Sequence, residues 1–398
     1  MSYKHASIVP LIGGETIAQQ RIFESRPEYI LSYDVFKNND QHIVEHYNNE
    51  VPYYLLDGDS VPDSLPSVDV VNTVCPCAGL SSLSPSASST NATNDWMFVT
   101  SEHVLGTIKP RVFWGENAPR LASKMGEPVV RRLRQIGEKY GYTLSIFKTK
   151  SILHGLSQVR DRTFYFFWKG EDIPVFEYIK QEHEKIEETI RSVKRDPNDP
   201  MSVLTNDRVP SENPFYQYVL EEIEGGISHK EFSDMIEKTT NPLDYIESKG
   251  IKYRKVAEWM RERGFEREAA KADRMHHKLA SGGNIMRKTT EIPKDFIGAF
   301  VGHMPTQLAH PDEDRYLTVR EALSIMKMPS DFMLINPKKN LNHICQNVPV
   351  TTAEFAASMV KKHLDGKLDT IHAKFMIQDN KSQTFDAEYP VQSLEQFM

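Results

Sequence analysis

The sequence predicts an α/β fold: a mostly parallel sheet with helices on its faces, joined to a smaller, largely helical domain. Two observations carry this. Short apolar runs alternate with helix-like stretches over the first ~170 residues, the pattern of repeated βαβ units. Residues ~171–290 then become strongly charged, and a compact apolar pattern returns from ~291. The 398 residues allow two to three domains at about 150 residues each.

The expected strands, in order, are 6–12, 29–36, 68–74, 111–114, 146–148 and 164–168. Each is an apolar run of strand length. The first leads into Gly13-Gly14. The clearest intervening helix is 128–140, which reads Val-Val-Arg-Arg-Leu-Arg-Gln-Ile after its proline. Open parallel sheets bind ligands beyond the C-terminal ends of their strands, so chemistry is expected just after these runs. Residues 81–94 are Ser, Thr, Asn, Pro and Ala rich and predict a long surface loop. Such loops are often functional.

Further along, 171–195 reads as acidic and helical, and 196–214 as a linker. Residues 251–279 read as two basic helices split at Gly264. Thr318 and Glu321 have the spacing of a capping box at a helix start. A further amphipathic helix is expected over 347–363, and the last ~30 residues are polar and mixed.

Composition narrows the function. With 39% hydrophobic and 26% charged residues, the chain is neither a disordered tail nor a membrane protein. No apolar run reaches the ~18 residues of a membrane span. The N-terminus has no basic stretch followed by an apolar one, so no secretory signal is expected. Three cysteines do not make a disulfide framework, which favours a reducing cytoplasm. A net charge of -7 speaks against a nucleic-acid partner in bulk, since phosphate contacts need Lys and Arg. The distribution says otherwise: between Lys249 and Lys288 there are 12 basic and 5 acidic residues.

Cys75-Pro76-Cys77 follows the third strand. Its spacing is wrong for a metal-ligand set and no His/Cys cluster accompanies it, so no metal is expected. A cysteine at a strand-to-loop junction is either a nucleophile or a small buried hydrophobe. Glu116-Asn117 follows the fourth strand. Gln158, Arg160 and Arg162 alternate before the last apolar run, which puts them on one side of an extended chain.

In this order the blocks resemble the DNA (cytosine-5)-methyltransferase family, over ~6–365. Pro76-Cys77-Ala78-Gly79-Leu80-Ser81 resembles its nucleophile block. Glu116-Asn117-Ala118 is similar to the Glu-Asn-Val block, and Gln158-Val-Arg160-Asp-Arg162 to Gln-x-Arg-x-Arg. Arg315-Tyr-Leu-Thr-Val-Arg-Glu321 resembles Arg-x-Leu-Thr-x-Arg-Glu, with Met328-Pro329 after it, and Asn347-Val348-Pro349 resembles the C-terminal block.

The resemblance implies a class I S-adenosylmethionine-dependent methyltransferase-like (Rossmann-like) fold. It implies a catalytic domain over 1–170, a target-recognition domain over 171–290, and a segment 291–398 returning to the catalytic domain. Cys77 would be the nucleophile, with Glu116, Arg162, Arg160, Gln158 and Asn117 completing the catalytic set. S-adenosyl-L-methionine would be held by Ile12, Gly13, Gly14, Asn38, Asp59, Pro76, Asn347 and Val348. Double-stranded DNA would meet Ser81, Lys252, Arg254, Lys255, Arg261, Arg263, Arg267 and Arg274, with the protein a monomer on DNA. A restriction–modification or phage setting is the biological expectation.

The first block departs from the family's Asp-Leu-Phe-x-Gly-x-Gly-Gly. Val9 stands for the Phe and Leu11 for the first Gly, while Gly13 and Gly14 remain. Asn38 falls at the ribose-binding acid, with Asp34 and Asp40 nearby, and Ala78 replaces a Gln. Two alternatives therefore stand beside methyl transfer: a C5-modifying enzyme with a different donor, and a non-catalytic DNA-binding homologue.

Overall fold

The computed structural model describes residues 2–58, 61, 62, 64–81, 84–285 and 287–389. They form two compact units. The first holds the residues up to His183, Met326–Ile335 and those from His343 onward; the second holds Glu184–Ile325 and Asn336–Asn342.

The first unit is built on β1 (His5–Ile8), β2 (Ile30–Ser32), β3 (Tyr53–Leu55), β4 (Val70–Thr73), β5 (Val112–Asn117), β6 (Tyr142–Lys150) and β7 (Asp161–Lys169). β8 (Asp172–Pro174) pairs with β9 (Thr370–His372) in a small separate sheet, and β10 (Phe375–Asp379) and β11 (Thr384–Glu388) complete the main one. The main sheet runs β11-β10-β6-β7-β5-β4-β1-β2-β3. β3, β2, β1, β4 and β5 run parallel to one another, whereas β7 is antiparallel to both β5 and β6. Val112, Phe113, Trp114 and the run Phe164–Trp168 are fully buried, as expected for central strands covered on both faces.

The helices of this unit include α1 (Gly14–Phe23), α2 (Lys37–His46), α3 (Asp95–His103) and α4 (Glu127–Tyr140), followed late in the chain by Val350–Leu364, which packs on α1. α4 buries Val129, Val130, Leu133 and Ile136 along one face and ends at Gly141, which takes the left-handed conformation (φ 77) that favours glycine at a helix end.

Several expectations are corrected in detail. β1 stops at Ile8 because the chain turns left-handed at Val9 and Leu11, both at φ 50, and at Gly13 at φ 89. β2 stops at Ser32 and passes into a short 3-10 turn. The stretch read as a long acidic helix contains only the helix Ile186–Ser192; its beginning is β8, whose Pro174 lacks the N–H an α-helix interior requires. Part of the polar C-terminal stretch is not loop but β9, β10 and β11.

In the second unit, the helices Pro214–Tyr218, His229–Met235, Pro242–Ser248, Tyr253–Glu262 and Glu266–Ala280 enclose Tyr216, Phe232, Leu243, Val256, Met260 and Ala269. Gly264 (φ 79) separates the last two, as the sequence predicts. Residues 291–325 pack here rather than returning to the main sheet, through bridges of Ile292 to Thr240 and of Thr318 to Leu204. The return begins at Met326. The capping box opens the helix Val319–Ile325: Thr318 N–H donates to the Glu321 carboxylate at 2.7 Å, and Glu321 N–H to Thr318 Oγ1 at 3.2 Å.

Candidate active site

The residues singled out by spacing converge at one edge of the main sheet. Parallel β4 and β5 end there, and antiparallel β7 begins there. Glu116 pairs with Phe164 in the β5–β7 register, so Arg162 is its diagonal neighbour, within reach of a long side chain. Arg162 Nε lies 2.5 Å from Glu116 Oε1, and both side chains are largely buried. Burial pushes the Glu116 carboxyl up, while Arg162 and Arg160 pull it down.

Cys77 sits in the turn after β4 and is half-buried. Burial and Glu116 raise its thiol; Arg162 and Arg160 oppose them. Cys75 is different. It is buried in the core, with its sulfur 3.4 Å from Thr73 Oγ1 and 3.7 Å from Thr100 Oγ1. Cys75 thus fits the reading of a small buried hydrophobe, whereas Cys77 is only half-buried.

Three further residues of the candidate set make contacts to neighbouring segments. Arg160 Nη2 donates to the Cys345 carbonyl at 2.9 Å. Gln158 Nε2 lies 3.6 Å from Met326 Sδ. Asn117 accepts the Ala118 N–H at 2.8 Å and contacts Met97 Sδ on α3 at 3.1 Å, so it links the end of β5 to the helix that follows the 81–94 loop. Described residues of that loop are held by hydrogen bonds. Ser88 N–H bonds the Gly79 carbonyl at 2.9 Å, Asn94 Nδ2 bonds the Ser88 carbonyl at 3.0 Å, and Arg120 reaches the Ser81 carbonyl at 3.2 Å.

The Gly13-Gly14 turn lies at the C-terminal end of β1. Gly14 N–H donates to Asn347 Oδ1 at 3.1 Å, and Asn347 Nδ2 bonds the Val348 carbonyl at 2.8 Å. A Cβ on Gly14 would stand 1.9 Å from Asn347 Nδ2, which explains why glycine remains. Leu11 keeps the positive φ that a glycine would give, at a cost of roughly 1–2 kcal/mol. Ile12 is buried and Pro76 half-buried beside this edge. Asn38 is exposed inside α2, and Asp34, also exposed, stands directly beyond the end of β2. Asp40 is turned inward, with Tyr53 donating to it at 3.1 Å. Asp59 lies outside the described residues.

The sequence reading missed Glu15, which is fully buried in the first turn of α1. An acid directly after a strand–Gly-Gly turn was the available signal. Among the described residues no group of His, Cys, Asp or Glu could hold a metal ion.

The profile of C-5 cytosine-specific DNA methylases matches residues 16–362. The chain belongs to that family. It is a DNA cytosine methyltransferase, and the family and fold imply S-adenosyl-L-methionine as methyl donor and DNA as substrate. No curated protein matches the sequence. Solved structures with a similar fold include the following three. A protein described as a DNA modification methyltransferase encoded within a prophage (E. coli) has TM-score 0.56 and 13% identity, with 92% of this chain and 100% of that one covered. The Entamoeba histolytica methyltransferase EhMeth has TM-score 0.53 and 12% identity over 92% and 99%. The S. pombe Dnmt2 methyltransferase has TM-score 0.51 and 12% identity over 91% and 99%.

The basic residues Lys252, Arg254, Lys255, Arg261, Arg263, Arg267 and Arg274 are all exposed, but not equally available. Arg254 pairs with Glu258 and Arg261 with Asp273. Arg263 reaches Glu222 at 3.3 Å and lies over the Trp259 ring. Lys252, Lys255, Arg267 and Arg274 have no ion pair among the described residues. No helix among the described residues is long and apolar enough to cross a membrane.

Proposed function

We propose that this methyltransferase flips a cytosine out of duplex DNA and modifies C5 through a covalent Cys77 adduct. The observation that carries the reading is the grouping of Cys77, Glu116, Arg160 and Arg162 in one electrostatic environment. Cytosine C5 is a poor nucleophile. Addition of the Cys77 thiolate to C6 makes C5 electron-rich. Glu116 bonds N3 and the exocyclic amine, offsetting the charge that builds on the ring. A proton on Glu116 also removes its repulsion of Cys77, leaving Arg162 and Arg160 to favour the thiolate. Arg162 holds O2 of the base. Loss of the C5 proton to a base then breaks the Sγ–C6 bond and restores Cys77.

The residues at the β1 edge fit S-adenosyl-L-methionine. The Gly13-Gly14 turn is bare of side chains, Asp34 stands beyond β2, and Glu15 offers a buried carboxyl to a cation. When bound, this donor supplies an electrophilic methyl group. Flipping costs a few kcal/mol, and the 81–94 loop with Ser81 is placed next to Cys77 in sequence to close over the extruded base. The helices Tyr253–Glu262 and Glu266–Ala280 serve target recognition, their free cations meeting phosphates.

The test is transfer of a labelled methyl group to mixed-sequence double-stranded DNA. The wild type is expected to transfer label, and Cys77→Ser to lose transfer while keeping DNA affinity. No transfer by a wild type that still binds DNA would overturn the reading.

A further inference from the structure

Glu15 has no part in the chemistry above, yet its position is costly. It lies in the first turn of α1, directly after Gly13-Gly14, with no exposed surface. Neither carboxyl oxygen has a hydrogen-bond partner in the structure. The charges acting on it are Glu116 from β5 and Arg162 and Arg160 from the start of β7 and just before it. It acts in turn on Cys75 and Tyr165. Its buried carboxyl therefore shares the electrostatic environment of Glu116, Arg160 and Arg162, the same charges that act on Cys77. The other ionisable groups on the elements packed on α1 are engaged elsewhere: His5 of β1 bonds Gln19 and the Ser25 carbonyl, and on the last helix Glu354 pairs with Arg21, Lys361 with Asp365 and Lys362 with Glu177, while His363 lies against Trp168.

A buried carboxyl without partners is hard to ionise. Burial and then Glu116 hold its pKa well above the usual carboxylate range, against Arg162 and Arg160, so burial without a partner favours its protonated form. A cation brought beside it reverses that balance. We propose that Glu15 reads the charge of the donor: it faces the sulfonium of a bound S-adenosyl-type methyl donor and releases its proton to solvent as that cation enters. After transfer the sulfonium is a neutral thioether, and the carboxylate takes a proton back. Glu15 thus favours donor over spent product. The inference rests on the donor assignment made under the proposed function.

The test is calorimetric titration of the full chain near pH 7, in two buffers of different ionisation enthalpy. S-adenosyl-L-methionine is compared with S-adenosyl-L-homocysteine. The expected result is release of about one proton per donor bound and close to none with the product. In Glu15→Gln the difference in proton release disappears, and donor affinity falls about tenfold relative to product. Equal release with both ligands, or binding of the donor with no release, overturns the inference while leaving the donor assignment intact. Failure of the wild type to bind the donor overturns both. Should Glu15→Gln not fold, the two-ligand comparison on the wild type decides alone.

Discussion

Arg162 Nε lies 2.5 Å from Glu116 Oε1, an ion pair formed diagonally across β5 and β7. Its members come from strands more than forty residues apart in the chain. The pair is a device of the sheet register, and it sets the charge around Cys77. Removing one member leaves the other charge buried and unpaired. Glu116→Ala and Arg162→Ala are each expected to lower stability by about 3–5 kcal/mol. Replacing both by uncharged residues of similar shape recovers much of the loss. Urea unfolding of the two singles and the double measures this; single-variant losses under about 1 kcal/mol would show that the pair does not hold the strands' edge.

Asp40 makes a pH prediction. Burial raises its carboxyl from the ordinary 3.8 to about 7, although Ser32, Tyr53 and the Leu11 N–H pull the other way. Its folded pKa is raised, so its share of stability is complete below about pH 4 and is lost as pH rises through about 7. Asp40→Asn should therefore gain on the wild type across that window, by up to about 4 kcal/mol at ~1.4 kcal/mol per pH unit. Denaturant midpoints at pH 4, 6 and 8 are the measurement, and parallel pH profiles for the two proteins would contradict it.

The Gly13-Gly14 turn has no room for a side chain. A Cβ on Gly14 would meet Asn347 Nδ2 at 1.9 Å and the Val348 carbonyl at 2.8 Å. Gly14→Ala is expected to weaken S-adenosyl-L-methionine binding at least tenfold and to cost about 1–3 kcal/mol of stability. Adding Asn347→Ala should restore part of the stability but not the affinity. Calorimetry and thermal unfolding of the single and double variants read the two effects separately.

For DNA, the ion pairs sort the basic residues. Lys252→Ala, Lys255→Ala, Arg267→Ala and Arg274→Ala should each flatten the dependence of log affinity on log salt by about 0.9. Arg263→Ala should change it less, because Glu222 and the Trp259 ring already engage that side chain. Binding of duplex DNA measured between 50 and 200 mM salt, roughly the range over which such contacts weaken, ranks them. An equal effect of Arg263→Ala would show that its ion pair opens on DNA.

The sequence was most legible where burial is complete. β4, β5 and β7 are covered on both faces and read as apolar runs, and α4 shows its period. The candidate site was legible through residue types at the strand ends: Cys77, Glu116, Arg160 and Arg162 are brought together because parallel and antiparallel strands carry those ends to one edge. The half-exposed strands were not. Thr384–Glu388 of β11 is mostly exposed, so its polar composition hides the strand. The acidic stretch after residue 171 favours helix by composition, but pairing of β8 with β9, nearly two hundred residues later, decides its start. The count of 12 basic against 5 acidic residues between Lys249 and Lys288 overstated the free charge. Glu221, Glu222, Asp244 and Glu247 supply partners, and only folding reveals them. Glu15 was invisible for a related reason: its lack of partners is a property of packing.

The central claim is covalent attack by Cys77, and the most direct measurement uses duplex DNA with 5-fluorocytosine at the target positions, incubated with the protein and S-adenosyl-L-methionine. Fluorine at C5 blocks the release step, so a denaturation-resistant protein–DNA adduct is predicted for the wild type and none for Cys77→Ser. DNA binding without any adduct in the wild type, or an adduct that persists in Cys77→Ser, would contradict it.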